Sequence, residues 1–135
     1  MDFLIKNAME GLKNTNFNNV EVGKANIKVV GAGGAGNNMV SWLYKKGIQG
    51  AEIIAANTDK QHLDISDADR KILIGRELTR GLGAGGFPAK GREAAKEALA
   101  ELKKAVAVSD MVFIIAGMGG GTGTGAAPVI AQIAK

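Results

Sequence analysis

Residues 119–125 read Gly-Gly-Gly-Thr-Gly-Thr-Gly, five glycines in seven positions. The interior of a helix or strand is not built this way, because each glycine loses more backbone entropy on ordering than any other residue. The stretch follows an apolar run, Met111-Val112-Phe113-Ile114-Ile115-Ala116, and precedes Ala126-Ala127-Pro128-Val129-Ile130-Ala131. The order is strand, glycine loop, helix. A flexible linker does not sit between a buried strand and a helix start, so these glycines let the backbone approach something closely. N–H groups gathered at a helix N-terminus suit an anion, most often a phosphate. Thr122 and Thr124 add hydroxyl donors at alternate positions.

The same unit occurs earlier in the chain. Residues 26–30, Asn-Ile-Lys-Val-Val, predict a strand that runs into Gly31-Ala32-Gly33-Gly34-Ala35-Gly36-Asn37-Asn38. A helix carrying Met39, Val40, Leu43 and Tyr44 follows and ends at Gly47, a residue suited to the position just past a helix. Gly31, Gly33 and Gly36 satisfy G-x-G-x-x-G. Residues 51–56 predict a second strand, ending at Asn57-Thr58-Asp59, where ligands of open α/β sheets bind. Residues 60–65 form at most a short helix. It carries His62, the one histidine of a chain without cysteine, which is therefore a poor metal ligand and is expected at the surface. A third strand over 70–74 leads to a third glycine cluster, Thr79-Arg80-Gly81-Leu82-Gly83-Ala84-Gly85-Gly86, with Pro88 fixing its exit. Ala94, Ala95, Ala98, Leu99, Leu102, Ala105 and Val106 make one apolar stripe along a helix over 91–106. Residues 110–117 predict the fourth strand, and the last helix is still running at Lys135. At the other end, the spacing of Leu4, Ala8 and Leu12 predicts a helix over 2–13, and the polar, asparagine-rich residues 14–26 read as a linker.

Such alternation predicts a Rossmann-like, doubly wound parallel sheet of order 3-2-1-4 with helices on both faces. Residues 1–25 form a preceding helix and linker, and residues 26–135 form the domain. Strands 1 and 4 are then neighbours at the switch point, and their two glycine loops share a crevice with those after strands 2 and 3. Composition removes other classes. Without cysteine there is neither a disulfide framework nor a thiolate metal site. No apolar run approaches a membrane span and no signal peptide is evident, which points to the cytoplasm without membrane insertion. The net charge of +4 is scattered and only 4% of residues are aromatic, so nucleic acid is not an expected partner. Ser41, Ser66 and Ser109 lack the context of a nucleophile elbow.

The first loop alone suggests NAD, since Asp59 follows its G-x-G-x-x-G by about 20 residues at the end of a strand. An NAD-binding Rossmann module leaves the other two glycine loops unexplained. No G-x-x-x-x-G-K-[ST] is present, so this is not a P-loop protein.

The four loops together resemble the tubulin/FtsZ family. Residues 119–125 match its glycine signature at all seven positions. Gly31 to Asn38, Asn57-Thr58-Asp59 and Thr79 to Gly86 are similar, in order, to the other nucleotide loops of the first half of FtsZ. The spacings agree from about residue 27 to 135, and Asp59-Lys60-Gln61-His62-Leu63 looks archaeal in type. The resemblance implies a GTP-binding, filament-forming cell-division protein of the cytoplasm, located at the mid-cell ring. It implies GTP or GDP with Mg²⁺ as cofactors, and self-association and division-site proteins as partners. Gly33, Gly34, Ala35, Gly36, Asn37 and Asn38 would lie towards the diphosphate and guanosine. Gly123, Thr124 and Gly125 would cradle the α- and β-phosphates, and Gly119, Gly120, Gly121 and Thr122 would belong to the same nucleotide-binding loop. Ala84, Gly85 and Gly86 would meet the γ-phosphate, and Asn57 and Asp59 would line the phosphate and Mg²⁺ region.

The family's ribose-contacting segments, its synergy loop and its C-terminal domain have no counterpart in these 135 residues. The expectation is a phosphate-binding half with weakened GTP affinity, negligible turnover alone and an exposed fourth strand prone to pairing. A non-catalytic half-domain that binds nucleotide or a full-length FtsZ and modulates assembly is the alternative.

Overall fold

The structure, a computed structural model, describes Ile5, residues 25–118 and residues 120–135. Apart from Ile5, Ala25 and Asn26, the helix and linker expected before the first strand lie outside the described residues. Four parallel strands form one sheet in the order β3-β2-β1-β4: β1 is Ile27–Ala32, β2 Ala51–Asn57, β3 Arg70–Leu73 and β4 Met111–Ala116. This is the expected order. Ile27 pairs with both Ala51 and Met111, and Ala32 with both Ala56 and Ala116. The three neighbouring strands therefore finish level, and the segments that follow them leave the sheet side by side.

Successive strand residues face opposite sides. Val30, Ile54 and Ile72 pack beneath Ala94, Leu102 and Ile130 on one face, and Val29 and Ile53 pack beneath Val40, Leu43 and Leu63 on the other. Both faces of the inner strands are thus buried, which explains their continuous apolar sequence. The helices supplying the covers are α1 (Gly33–Lys46), α2 (Lys60–Ile65), α3 (Arg76–Thr79), α4 (Pro88–Glu97), α5 (Leu99–Val106) and α6 (Thr122–Ala134). Ile5 is half-buried against the second cluster. Among the described residues β4 pairs only with β1, and its residues Val112 to Ala116 are half-buried.

Three element boundaries differ from the sequence reading. β1 continues through Gly31 and Ala32, so the first helix starts at Gly33. α6 starts at Thr122, within the glycine stretch. In both cases, glycines expected in a loop form a first helical turn, where early N–H groups have no intrahelical acceptor. The helix expected over 91–106 begins at Pro88, a residue preorganised for a first helical position, and bends at Ala98, which has φ −94° and ψ 19°. Bonds from Ala98 N–H to Ala94 O (3.2 Å) and from Leu102 N–H to Ala98 O (2.9 Å) carry the chain through the bend. The apolar stripe consequently stays on the core, with Ala94, Ala95, Leu102, Ala105 and Val106 buried. No helix of the described residues is long and apolar enough to cross a membrane.

Candidate functional site

A cavity of about 400 Å³ opens at the C-terminal ends of the strands. Gly33, Gly34 and Ala35, the first turn of α1, form one wall. Gly120, Gly121, Thr122 and Gly123, at the start of α6, form the second. Leu82, Gly83, Ala84, Gly85 and Gly86 form the third, and Asn57, Thr58 and Asp59 lie at the end of β2 between them. Two helix N-termini thus open on one cavity, each bringing unpaired N–H groups and the positive end of a helix dipole. Among the described residues, the lining contains no lysine or arginine, and its ionisable side chains are Asp59 and His62. An anion here would meet chiefly backbone N–H groups.

Close approach explains the glycines where the two helices meet. Gly33 has φ +76°, and a Cβ on it would stand 2.8 Å from the Gly123 nitrogen. Gly36 lies one turn further along α1 and is absent from the lining. A Cβ there would stand 2.4 Å from the Ile115 carbonyl oxygen, so this glycine lets α1 cross tightly over the sheet.

The adjacent asparagines have different surroundings. Asn37 is fully buried. Its Nδ2 donates to the carbonyls of Gly31 and Ala56, each at 3.0 Å, and its Oδ1 accepts from Asn57 Nδ2 at 3.3 Å. Asn57 Oδ1 in turn accepts the N–H of Thr58 at 2.8 Å and of Asp59 at 3.2 Å. One buried network therefore sets the ends of β1 and β2 and the turn that carries Asp59. Asn38 is exposed and its Oδ1 lies 3.0 Å from His62 Nε2.

The third wall is bound to the same turn. Thr79 Oγ1 donates to the Thr58 carbonyl at 3.3 Å, Gly83 N–H to that carbonyl at 3.3 Å, and Lys60 N–H to the Gly81 carbonyl at 3.0 Å. Asp59 and Leu82 form an isolated antiparallel bridge. Thr58 and Thr122, both buried, share a hydroxyl–hydroxyl bond of 2.6 Å that joins the end of β2 to the first turn of α6. Asp59 Oδ1 caps α2 by accepting the His62 N–H at 3.1 Å.

Of the residues singled out from sequence, the cavity brings together Gly33, Gly34, Ala35, Asn57, Asp59, Ala84, Gly85, Gly86, Gly120, Gly121, Thr122 and Gly123. Gly36, Asn37 and Asn38 stand behind or beside it. Thr124 and Gly125 line a separate groove between α4 and α6, where a Cβ on Gly125 would stand 2.0 Å from the Pro88 carbonyl oxygen. Gly119 lies outside the described residues. Sequence reasoning left out Thr58, Leu82 and Gly83, although each lies inside a motif it quoted, and Gly117 and Met118, which join β4 to the glycine stretch. It expected His62 at the surface and gave it no part in the site. The residue is half-buried and lines the cavity, with its imidazole beside Gly34 and Asn38 of α1. A lone histidine has no spacing signal that would have revealed this.

Comparison with known proteins agrees with this geometry. The Tubulin/FtsZ family, GTPase domain, matches residues 26–135. Cell division protein FtsZ 2 of Methanocaldococcus jannaschii is 57% identical over 132 residues, covering 98% of this chain and 35% of that protein. Cell division protein FtsZ 2 of Haloferax volcanii is 56% identical over 115 residues, covering 85% of this chain and 29% of the relative. The chain thus spans about a third of the length of these relatives. Among solved structures, an empty FtsZ dimer from M. jannaschii superposes with a TM-score of 0.80 at 55% identity, covering 95% of this chain and 35% of the other. CetZ2 from Haloferax volcanii, solved as a GTPγS-bound protofilament, superposes with a TM-score of 0.70 at 29% identity over 79% of this chain and 35% of its own. This chain belongs to the tubulin/FtsZ family, whose GTPase-domain sequence it carries over residues 26–135.

Proposed function

We propose that this chain supplies the phosphate-binding half of a GTPase site in a filament-forming cell-division protein. The observation that carries the reading is the cavity, with two glycine-rich helix starts and a third glycine loop around one space and no lysine or arginine among the described residues of its lining. Such a site neutralises a polyphosphate through main-chain N–H groups and helix dipoles. Gly34 and its neighbours face the diphosphate and guanosine side, residues 120–123 cradle the α- and β-phosphates, and residues 84–86 meet the γ-phosphate. Gly36, Asn37 and Asn38 support the first of these walls, and Thr124 and Gly125 belong to the same α6 turn as the second.

Mg²⁺ fits the same arrangement. No group of three or more His, Cys, Asp or Glu that could hold a metal occurs among the described residues. Magnesium at phosphate sites is commonly held by one or two carboxylates together with the phosphates and water, and Asp59 is the one carboxylate of the lining among the described residues. Asn57 keeps the turn beneath it in place.

The relatives' description as cell division proteins and the protofilament in which CetZ2 was solved support the cellular role that the resemblance implies: self-association into filaments at the mid-cell division ring, in the cytoplasm, with division-site proteins as further partners. The resemblance implies that steady hydrolysis needs acidic groups from the synergy loop of a neighbouring subunit, so this chain alone is expected to turn GTP over negligibly. A non-catalytic role, in which the domain binds nucleotide or a full-length relative, draws on the cavity's scarcity of ionisable groups.

The test is isothermal titration of the purified chain with GTP, GDP, ATP and NAD⁺ in Mg²⁺ buffer. GTP or GDP binding without NAD⁺ binding is expected, and preferential NAD⁺ binding would refute the proposal. A phosphate-release assay on the chain mixed with a full-length relative then separates the two readings, since the GTPase reading expects turnover at sites formed with the partner and the non-catalytic reading expects none. Steady turnover by the isolated chain would contradict both the expected inactivity and the non-catalytic role.

A further inference from the structure

We propose that Glu97 is a positioning residue for the third cavity wall, acting as a clasp that closes residues 76–87 onto α4. Its two carboxylate oxygens accept separate backbone bonds from the start of α3: Oε1 from Glu77 N–H at 2.9 Å and Oε2 from Leu78 N–H at 3.2 Å. These are the second and third residues of α3, the positions that a capping side chain ordinarily serves. The local candidate cannot serve them, because the residue before α3 is Gly75, in the left-handed region at φ 67° and without a side chain. The cap comes instead from the last residue of another helix, as a charge-assisted pair of bonds.

The position of Glu97 in the chain gives the cap its consequence. α4 runs Pro88–Glu97, so the wall segment begins at the far end of α4, where Glu97 holds α3, and returns to its near end, where Phe87 leads into Pro88. A Cβ on Gly75 would stand 2.5 Å from Ala94 Cβ, which seats the start of α3 directly on α4. Between the two anchors, Arg80, Gly81, Gly83, Gly85 and Gly86 all have positive φ. A run of such residues has many alternative conformations and is held by its ends and by the bonds to Thr58 and Lys60. Releasing Glu97 removes the side-chain hold on the N–H groups of Glu77 and Leu78, leaving the start of α3 to the bond from Ile74 N–H to the Asn57 carbonyl and to the contact of Gly75 with Ala94.

The nucleotide consequence rests on the reading of residues 84–86 as the γ-phosphate wall. Loosening that wall weakens GTP more than GDP, because only GTP has a group to meet it. The structural consequence is read without any nucleotide.

Amide hydrogen exchange on the ¹⁵N-labelled, nucleotide-free chain would be compared for the wild type, Glu97→Ala and Glu97→Gln. In Glu97→Ala, exchange is expected to accelerate on the order of tenfold at Glu77, Leu78 and through residues 80–86, with α6 and the sheet unchanged. Glu97→Gln keeps an acceptor and should recover part of the protection. Acceleration confined to Glu77 and Leu78, or none, would overturn the proposal. Should Glu97→Ala lose protection throughout, the Gln variant decides on the same criterion. Titration then reads the GTP-to-GDP affinity ratio, expected to fall several-fold in Glu97→Ala; an equal loss for both nucleotides would refute a role at the γ wall. A wild-type chain that binds neither nucleotide overturns the functional reading, while the exchange result still decides the clasp.

Discussion

Replacing Asn37 with alanine tests whether this residue belongs to the frame of the site. The side chain is wholly buried and makes three hydrogen bonds, to the Gly31 and Ala56 carbonyls and from the Asn57 amide. At about 1 kcal/mol net per bond, their removal costs about 3 kcal/mol, before the space left behind is counted. In urea unfolding followed by far-UV circular dichroism, that is a fall in midpoint of about 1.5 M with the slope unchanged. Asn37→Asp separates hydrogen bonding from volume. It puts oxygen where Nδ2 faced two carbonyl oxygens at 3.0 Å, and buries a charge. Burial raises the folded-state pKa of the introduced carboxyl above its unfolded value, so the unfolded state loses its proton first as pH rises. The deficit of that variant should therefore be smallest in acid and grow as pH rises through the carboxyl range. Asn38→Ala is the control. It is exposed, with one bond to His62, and should stay within about 0.5 kcal/mol of wild type. The reasoning fails if Asn37→Ala lies within about 1 kcal/mol of wild type, or if Asn38→Ala costs more than it does.

Gly120 lines the cavity and a Cβ on it would meet nothing within 4 Å, so Gly120→Ala should leave the thermal midpoint unchanged and lower GTP affinity about tenfold by placing a methyl group where the backbone meets the ligand. Unaltered affinity would show that the ligand does not approach that residue. Gly125→Ala should behave oppositely, costing about 3 kcal/mol in chemical denaturation by forcing α6 from α4, since its Cβ would stand 2.0 Å from the Pro88 carbonyl oxygen. Stability equal to wild type would refute that packing. The side of β4 that pairs with no strand among the described residues predicts association that grows with concentration in size-exclusion chromatography, and a clean monomer at high concentration would count against it.

The parts of the site that were legible in the sequence are those where the backbone does the work. A main chain that must turn with positive φ or meet another main chain within a few ångströms requires glycine, and glycine is visible in a string of letters. Gly33, Gly85, Gly86 and Gly123 were found in this way, and the strand order followed from the alternation of apolar runs with helical stripes. Hidden features depend on partners that only the fold supplies. Nothing in Asn37-Asn38 says that one amide will tie together two strand ends and the other will meet His62. The bend at Ala98 was hidden for a related reason, since the apolar stripe is continuous across it and periodicity reports the face, not the axis.

A cradle made of backbone also divides the labour among its side chains. Asn37, Asn57, Thr58, Thr79 and Thr122 are all buried polar residues, and their bonds run to one another or to main chain. Their work is to fix where N–H groups point, because an N–H group holds a phosphate only where it is aimed and cannot be swung into place as a lysine can. Substitutions in this set should therefore lower stability and nucleotide affinity together, whereas Gly120→Ala lowers affinity alone. If the two properties came apart for Thr58→Val or Thr122→Val, with affinity lost at unchanged stability, those hydroxyls would be direct ligands and not part of the frame.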